Sequence, residues 1–206
     1  TLGTLAVSAI FGLEDVAQNT ESTELKAVKK VKKPVVISTW NHGLPANQET
    51  WKQLKNGKNA LDAIESGMKI PEADPNVRSV GYGGYPDREG KVTLDACIMD
   101  EKGNCGAVMF LEHIMHPIKV ARMVMEKTPH VMLVGKGAQD FALQQGFKKT
   151  NLLTEASKEA WLEWKKTSKY NTPVNIENHD TISMLAIDQD GNISGACTTS
   201  GMAYKM

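Results

Sequence analysis

A threonine at the boundary between a polar segment and a strand is the first candidate for chemistry in this sequence. The segment Asn178-His179-Asp180 is polar and turn-prone, and from Thr181 onward the chain alternates β-branched and apolar side chains. This alternation is typical of a strand. Thr181 is therefore predicted to be the first residue of a buried strand. If the bond between Asp180 and Thr181 were cut after folding, Thr181 would carry a free α-amine beside its own hydroxyl.

Such a residue would combine a nucleophile and a base. A hydroxyl attacks a carbonyl poorly unless a base removes its proton, and an N-terminal amine with a pKa of about 8 provides that base near neutral pH. The ordinary interpretation of a threonine at the start of a strand is that its branched side chain suits the sheet. The choice between the two interpretations depends on the motifs elsewhere in the chain.

Four other motifs accompany the Thr181 junction in a fixed order. They are Ser38-Thr39-Trp40-Asn41, Ser79-Val80-Gly81-Tyr82-Gly83-Gly84, Thr93-Leu94-Asp95-Ala96 and Gly195-Ala196-Cys197-Thr198-Thr199-Ser200-Gly201-Met202-Ala203. In order and spacing the set resembles the glycosylasparaginases, which are N-terminal nucleophile hydrolases. The resemblance extends from about Pro34 to Met206.

The resemblance implies a fold, an activity and roles for particular residues. The fold is the four-layer α-β-β-α sandwich of the N-terminal nucleophile hydrolases, and the substrate is a glycosylated asparagine whose side-chain amide is hydrolysed. Thr181 would be the nucleophile, Thr199 would hold its hydroxyl or amine, and Trp40 would line the substrate site. His179 and Asp180 would assist self-cleavage. No cofactor and no metal are implied.

The same resemblance divides the chain into three parts. Residues 1–33 are expected to be a signal-peptide remnant and lead-in, residues 34–180 part of an α-subunit, and residues 181–206 the start of a β-subunit. The arginine and aspartate that grip the substrate in this family would follow Met206, so the chain is expected to be a fragment. Cleaved chains would form αβ heterodimers that assemble as (αβ)2.

Two other functions stay open at this point. Isoaspartyl peptidases with L-asparaginase activity use the same nucleophile, but they usually carry glycine before it, and the His179-Asp180 pair in this chain argues against them. A binding module that folds without cleaving is the other alternative.

Charge and composition exclude several classes of partner. The 206 residues include 24 basic and 24 acidic side chains, so the sequence predicts no nucleic-acid surface. The apolar run Leu2–Leu13 is too short to span a bilayer and is typical of the centre of a secretory signal. We therefore expect an exported protein, periplasmic or secreted, or lysosomal in a eukaryote, with no membrane partner.

Histidines and cysteines provide weaker signals. His113 and His116 would share a helical face, but no third ligand has a suitable spacing, so no metal site is predicted. Cys97 and Cys105 could pair across neighbouring strands, although a small buried thiol is the default for both. With Cys197 the number of cysteines is odd, and no chemistry is assigned to them.

Hydrophobic periodicity predicts a mixed α/β chain. The apolar run from Pro34 to Trp40 indicates a strand buried on both faces, and strands at 92–99 and 105–110 indicate an antiparallel hairpin. Two helices are predicted at about 47–55 and 60–70, the second ending before Pro71, and three more at 118–127, after Gly135 and at 154–165. The final hairpin would bring Thr199 beside Thr181.

Overall fold

The computed structural model describes residues 32–168 and 181–206, which belong to one compact unit, Lys32–Met206. The described part contains six strands and five helices, so the mixed α/β prediction is confirmed. In chain order the elements are β1 (Val35–Ser38), α1 (Gly43–Lys55), α2 (Ala60–Ala73), β2 (Thr93–Met99), β3 (Cys105–Glu112), α3 (Pro117–Lys127), β4 (Met132–Val134), α4 (Gly135–Gln144), α5 (Glu155–Thr167), β5 (Ile182–Ile187) and β6 (Ile193–Thr199).

The strands form one sheet in the order β1-β5-β6-β2-β3-β4. All neighbours are antiparallel except β3 and β4, which are parallel. Both predicted hairpins, β2 with β3 and β5 with β6, are present. The hairpin of β5 and β6 lies between β1 and β2, so β5 pairs with β1 and β6 pairs with β2 on its outer sides. The last two strands of the chain therefore occupy positions inside the sheet.

Helices α1 to α4 cover one face of this sheet. Alternate residues of β5 and β6 point into that layer, and Ile182, Met184 and Ala196 are buried there. They pack in one apolar cluster with residues from all four helices, including Leu54, Ile64, Val120 and Ala138. Period-two patterning in the strands and a helical stripe in each helix thus produce a single core.

The opposite face of the sheet is not covered by any described residue, and many of its side chains are apolar. Exposed side chains on this open face include Ile37, Met99, Met109, Met132, Leu185 and Ile193. The prediction that β1 is buried on both faces is therefore wrong for the described part of the chain, where Ile37 is 58% exposed. A continuous apolar run does not reveal how many faces are covered. Of the four layers expected, the described residues form one sheet and one helical layer.

Two helix boundaries differ from the predicted ones, and each of these helices contains a proline near the boundary. Helix α1 begins at Gly43, with Pro45 in its first turn, where amide donors lack intrahelical partners. Helix α2 continues through Pro71 to Ala73. Pro71 is buried on the same stripe as Ile64 and Met68, and this packing holds the last turn. No helix among the described residues has the length and apolar character of a membrane span.

Candidate active site

Thr181 lies at one end of the sheet and faces Thr199. The register pairs Ile182 with Thr198, so the next pair outward is Thr181 with Thr199. β5 begins at Ile182, one residue later than predicted, so Thr181 immediately precedes the strand, and Thr199 is the last residue of β6. Both belong to the alternating set that includes Ser183 and therefore lie on the open face of the sheet. Both are half-buried.

Thr39 ties the end of β1 to the start of β5. Its hydroxyl donates a hydrogen bond to the carbonyl oxygen of Thr181 at 3.1 Å and accepts one from the amide of Ser183 at 3.0 Å. The Thr39 amide also donates to the Ser183 carbonyl oxygen at 3.0 Å. Thr181 is therefore held on one side by Thr39 while the Ile182–Thr198 pair holds the other side.

Thr199 is fixed by the loop that follows Val77. Its hydroxyl donates to the carbonyl oxygen of Ser79 at 3.3 Å and accepts from the amide of Gly201 at 2.9 Å. The same Ser79 oxygen accepts from the amide of Ser200 at 2.7 Å. These three contacts set the direction of the Thr199 side chain at the point where β6 ends.

Asp95 is opposite Thr199 on β2 and lies beside a β-bulge. Its carboxylate accepts a hydrogen bond from the amide of Phe110 at 2.8 Å, and Phe110 has a positive φ of 51°. A bulge of this kind bends a strand and redirects side chains near functional sites. The row Thr181, Thr199, Asp95 therefore contains two hydroxyls and one carboxylate.

Trp40 forms part of the wall of a cleft beside this row. The residue has a positive φ of 63°, and its side chain is 48% exposed. Its carbonyl oxygen accepts from the amide of Gly43 at 3.1 Å, which turns the chain into α1. The cleft has a volume of about 470 Å³. It is lined by Trp40, Asn41, His42, Asn76, Val77, Arg78, Ser79 and Tyr85. Ser79 connects the cleft to Thr199.

Comparison with known proteins assigns the chain to a family. The asparaginase family profile matches residues 29–206. The chain belongs to the asparaginase family. It is 67% identical over 178 residues to the N(4)-(β-N-acetylglucosaminyl)-L-asparaginase of Elizabethkingia miricola, an alignment that covers 86% of this chain and 52% of that protein. It is 35% identical over 205 residues to the mouse protein of the same name, covering 84% of this chain and 59% of that protein.

A third relative is similar to this asparaginase-family chain over a comparable share of its length. The putative N(4)-(β-N-acetylglucosaminyl)-L-asparaginase of Drosophila yakuba is 36% identical over 227 residues, covering 90% of this chain and 57% of that protein. The chain therefore spans between half and three-fifths of the length of these curated relatives. The family resemblance found in the motifs is confirmed.

The structure of this asparaginase-family chain brings together three of the five predicted site residues. Thr181 and Thr199 are opposite each other, and Trp40 follows Thr39, which contacts Thr181. His179 and Asp180 lie outside the described residues. The predicted roles of all five stay predictions, because position alone does not establish them.

Sequence reasoning missed three residues of the site. Thr39, Ser79 and Asp95 each lie in a family motif, but the sequence predicts no role for them in the site, and Ser79 contributes through its backbone carbonyl oxygen. Every residue type has a backbone carbonyl oxygen, so a contact of this kind cannot be predicted from the identity of the residue. Thr39 and Asp95 reach the site through strand pairs that are distant in sequence, and local patterns contain no information about such pairs.

Charged groups near the threonine row have altered proton affinities. Lys205 donates to the carbonyl oxygen of Ser200 and is half-buried. Burial lowers the pKa of its ammonium group, although the carboxylates of Asp95 and Asp87 oppose this shift. Two residue pairs further along β2 and β6, the Cys97 thiol opposite Cys197 lowers the pKa of Cys197, although burial opposes the shift.

The histidines and cysteines singled out in the sequence are arranged differently from the expectations. His113 and His116 are not on one helix: His113 has a positive φ of 63°, and His116 is the residue before α3. Within the described ranges, no group of three or more histidine, cysteine, aspartate or glutamate residues could hold a metal ion. Cys97 is directly opposite Cys197 rather than Cys105, and both Cys97 and Cys105 are exposed.

Proposed function

We propose that the full-length protein containing this chain is a self-processing amidohydrolase of N4-(β-N-acetylglucosaminyl)-L-asparagine. The observation that carries the proposal is the placement of Thr181 opposite Thr199 at the open end of β5 and β6. The similarity to relatives that bear the name of this activity supports the choice of substrate.

The first step is cleavage of the protein's own backbone. The Thr181 hydroxyl oxygen attacks the carbonyl carbon of Asp180, the C–N bond breaks, and the acyl group passes from nitrogen to oxygen as an ester. Water then hydrolyses the ester, which leaves a carboxylate on Asp180 and a free amine and hydroxyl on Thr181. The Thr39 contact with the Thr181 carbonyl oxygen supports this step because it restrains the residue that attacks.

The second step is turnover of the substrate. The free amine of Thr181 takes the hydroxyl proton as the oxygen attacks the side-chain amide carbonyl of the substrate. The C–N bond breaks, the glycosylamine leaves with a proton, and aspartate stays attached to Thr181 as an ester. Water hydrolyses this ester and regenerates the enzyme. Thr199 orients the nucleophile, and Trp40 with the adjoining cleft receives the substrate.

The strand order supports the proposal that the two chains produced by cleavage before Thr181 stay associated. After cleavage, β5 and β6 would belong to the second piece while their neighbours β1 and β2 belong to the first. Separating the pieces would therefore break two strand interfaces in the middle of one sheet. We propose an αβ heterodimer on this basis, and the family resemblance extends it to (αβ)2.

Export is part of the same proposal. The apolar run Leu2–Leu13 followed by a polar tract supports a secretory signal, with a periplasmic or secreted destination, or a lysosomal one in a eukaryote. Edman sequencing of the protein isolated from its natural source tests this point. A chain that retains the run in the mature protein would contradict it.

The nucleophile is tested by Thr181→Ala in the full-length protein. We expect one uncut polypeptide on a denaturing gel and no hydrolysis, whereas the wild type gives two pieces, the second beginning at Thr181 by mass spectrometry. Ser183→Ala is the matched control, because Ser183 lies on the same face two residues along, and we expect it to be cut. Two pieces from the Thr181→Ala variant would refute self-cleavage by this hydroxyl.

Substrate assays separate the remaining possibilities. Faster release of aspartate from glycosylated asparagine than from β-aspartyl dipeptides supports the proposal, and the reverse order identifies an isoaspartyl peptidase. An intact Asp180–Thr181 bond together with no hydrolysis of either substrate identifies a binding module.

A further inference from the structure

Glu72 is a buried carboxylic acid that the proposed mechanism does not use. It lies in the last turn of α2, after Pro71, and its side chain is fully enclosed, with 0% exposure. Glutamate is among the residues least often buried, and burial without compensation strongly disfavours its charged form. A residue of this kind needs specific partners.

The partners of Glu72 come from two other elements. Its Oε1 accepts a hydrogen bond from the Thr198 hydroxyl at 2.8 Å and another from the amide of Ile118, in the first turn of α3, at 3.0 Å. Its Oε2 lies 3.3 Å from Nδ1 of His116. Burial raises the pKa of Glu72, while the contacts with His116 and Thr198 oppose that rise. One side chain thus joins α2, α3 and β6.

The residue that Glu72 contacts on β6, Thr198, is adjacent to the Thr181–Thr199 pair. Thr198 and Thr199 are neighbours in β6 and point to opposite faces of the sheet. Thr198 is paired with Ile182, the residue after Thr181. The Glu72 hydrogen bond holds Thr198 from the helix-covered face of the sheet. It therefore restrains the backbone of the Ile182–Thr198 pair, which is next to Thr181 and Thr199 on the open face.

A second connection runs from Glu72 to Thr199 through the backbone. The Glu72 carbonyl oxygen accepts from the amide of Tyr82 at 2.8 Å. Gly81 packs so closely on the Glu72 backbone that an added Cβ would lie 2.2 Å from that oxygen. The loop held in this way presents the Ser79 oxygen, which accepts from the Thr199 hydroxyl at 3.3 Å.

We propose that Glu72 is a positioning residue for the Thr181–Thr199 pair, acting through the hydroxyl of Thr198. Glu72 touches neither the substrate nor the reacting atoms. Its hydrogen bond sets the end of β6 and thereby holds Thr199 in its position opposite Thr181. The inference rests on the proposed function, because it concerns the same site.

The test is Thr198→Val in the full-length enzyme. Valine keeps the branched shape and removes the donor, so the expected result is a kcat about tenfold lower with KM unchanged, the effect of losing one hydrogen bond to a charged or polar buried acceptor. Thr198→Ser keeps the hydroxyl and should restore most of the kcat. Glu72→Gln keeps the Oε1 acceptor and should also retain most of it.

Ser194→Ala provides the matched control. Ser194 is buried on the same covered side of β6, and its hydroxyl has no hydrogen-bond partner among the described residues. We expect its kcat to equal that of the wild type. If Thr198→Val lowers the melting temperature but leaves kcat unchanged, the Glu72 contact is structural only and the inference is wrong. Equal loss of kcat in Thr198→Val and Thr198→Ser would also refute it.

Failure of this inference is distinguishable from failure of the proposed function. A wild-type protein that neither cleaves itself nor releases aspartate would overturn the proposed function. An active wild type with a fully active Thr198→Val variant would overturn only the role of Glu72.

Discussion

The hydroxyl of Thr39 donates a hydrogen bond to the carbonyl oxygen of Thr181 at 3.1 Å, across 142 positions of sequence. Thr39 follows β1 and Thr181 precedes β5, so the contact closes the end of an antiparallel strand pair. The same hydroxyl accepts from the amide of Ser183. One side chain therefore restrains the backbone on both sides of Ile182, next to the proposed nucleophile.

Thr39→Val should slow both self-cleavage and turnover in the full-length protein. The valine side chain has the same branched shape but neither donates nor accepts, so Thr181 loses one restraint. We expect rates about threefold to tenfold lower, since one exposed hydrogen bond contributes about 0.5–1.5 kcal/mol. The measurement is the rate of precursor loss on gels together with kcat. Thr39→Ser keeps the hydroxyl and is the control, and wild-type rates in Thr39→Val would contradict the prediction.

The strands of the site could be predicted from sequence because their signal is local. The alternation in 181–187 and 193–199 and the polar turn between them predict a hairpin, which the structure contains. The same local signal placed Thr199 near Thr181. Helix ends were less predictable. Pro45 lies in the first turn of α1, where no intrahelical hydrogen bond is lost, and Pro71 lies in the last turn of α2, where its burial offsets the loss.

The positions of Thr39, Asp95 and Glu72 could not be predicted from local patterns. Each reaches the site through a partner distant in sequence: β1 pairs with β5, β2 pairs with β6, and α2 packs on β6. The choice of strand neighbours depends on the burial of whole faces and not on any short window of residues. A buried glutamate in particular resembles a surface glutamate until its surroundings are known.

Gly81→Ala should destabilise the fold strongly. Gly81 has a φ of +62°, which costs a residue with a Cβ about 1–2 kcal/mol, and the added Cβ would meet the Glu72 carbonyl oxygen at 2.2 Å. The backbone atoms of Glu72 cannot move away without disturbing α2. We expect a total loss of about 3 kcal/mol or more, measured by urea unfolding.

Gly57→Ala is the control for this prediction. Gly57 has a φ of +81°, but an added Cβ there would have no neighbour within 4 Å. Its variant should lose only the backbone term, about 1–2 kcal/mol. The difference between the two variants isolates the clash with Glu72, and equal losses would show that the loop moves aside freely.

Asp188 should stabilise the fold in a pH-dependent manner. Its buried carboxylate accepts hydrogen bonds from the amides of Asn192, Ala60 and Gly191. Burial alone would raise the pKa of Asp188, but these bonds outweigh burial and lower the pKa below its ordinary value. The folded state therefore binds the proton less tightly than the unfolded state. The stabilisation is present above the unfolded-state pKa of about 3.9 and is lost as the pH falls through the folded-state pKa.

Asp188→Asn should consequently be destabilised most near neutral pH. We expect a loss of about 1–3 kcal/mol at pH 7, because an amide presents one acceptor and one donor where the structure supplies only donors. The gap between variant and wild type should narrow as the pH falls below about 4. Asp190→Asn, in the same turn but exposed, is the control. A gap that is constant from pH 7 to pH 3 would contradict the role of the charge.

Cys197 should ionise at a lower pH than an ordinary cysteine. The Cys97 thiol lies opposite it and lowers the pKa of Cys197, with burial opposing the shift and the Ser183 hydroxyl, 3.5 Å from the Cys197 sulfur, assisting it. Pulses of iodoacetamide between pH 5 and pH 9, followed by peptide mass spectrometry of the folded chain, should give a labelling midpoint for Cys197 below the ordinary thiol value of about 8.5. Replacing Cys97 by alanine removes the neighbouring thiol, so the midpoint should rise towards that ordinary value. Cys105→Ser is the control and should leave the midpoint unchanged. A wild-type midpoint that Cys97→Ala does not raise would contradict the role of Cys97.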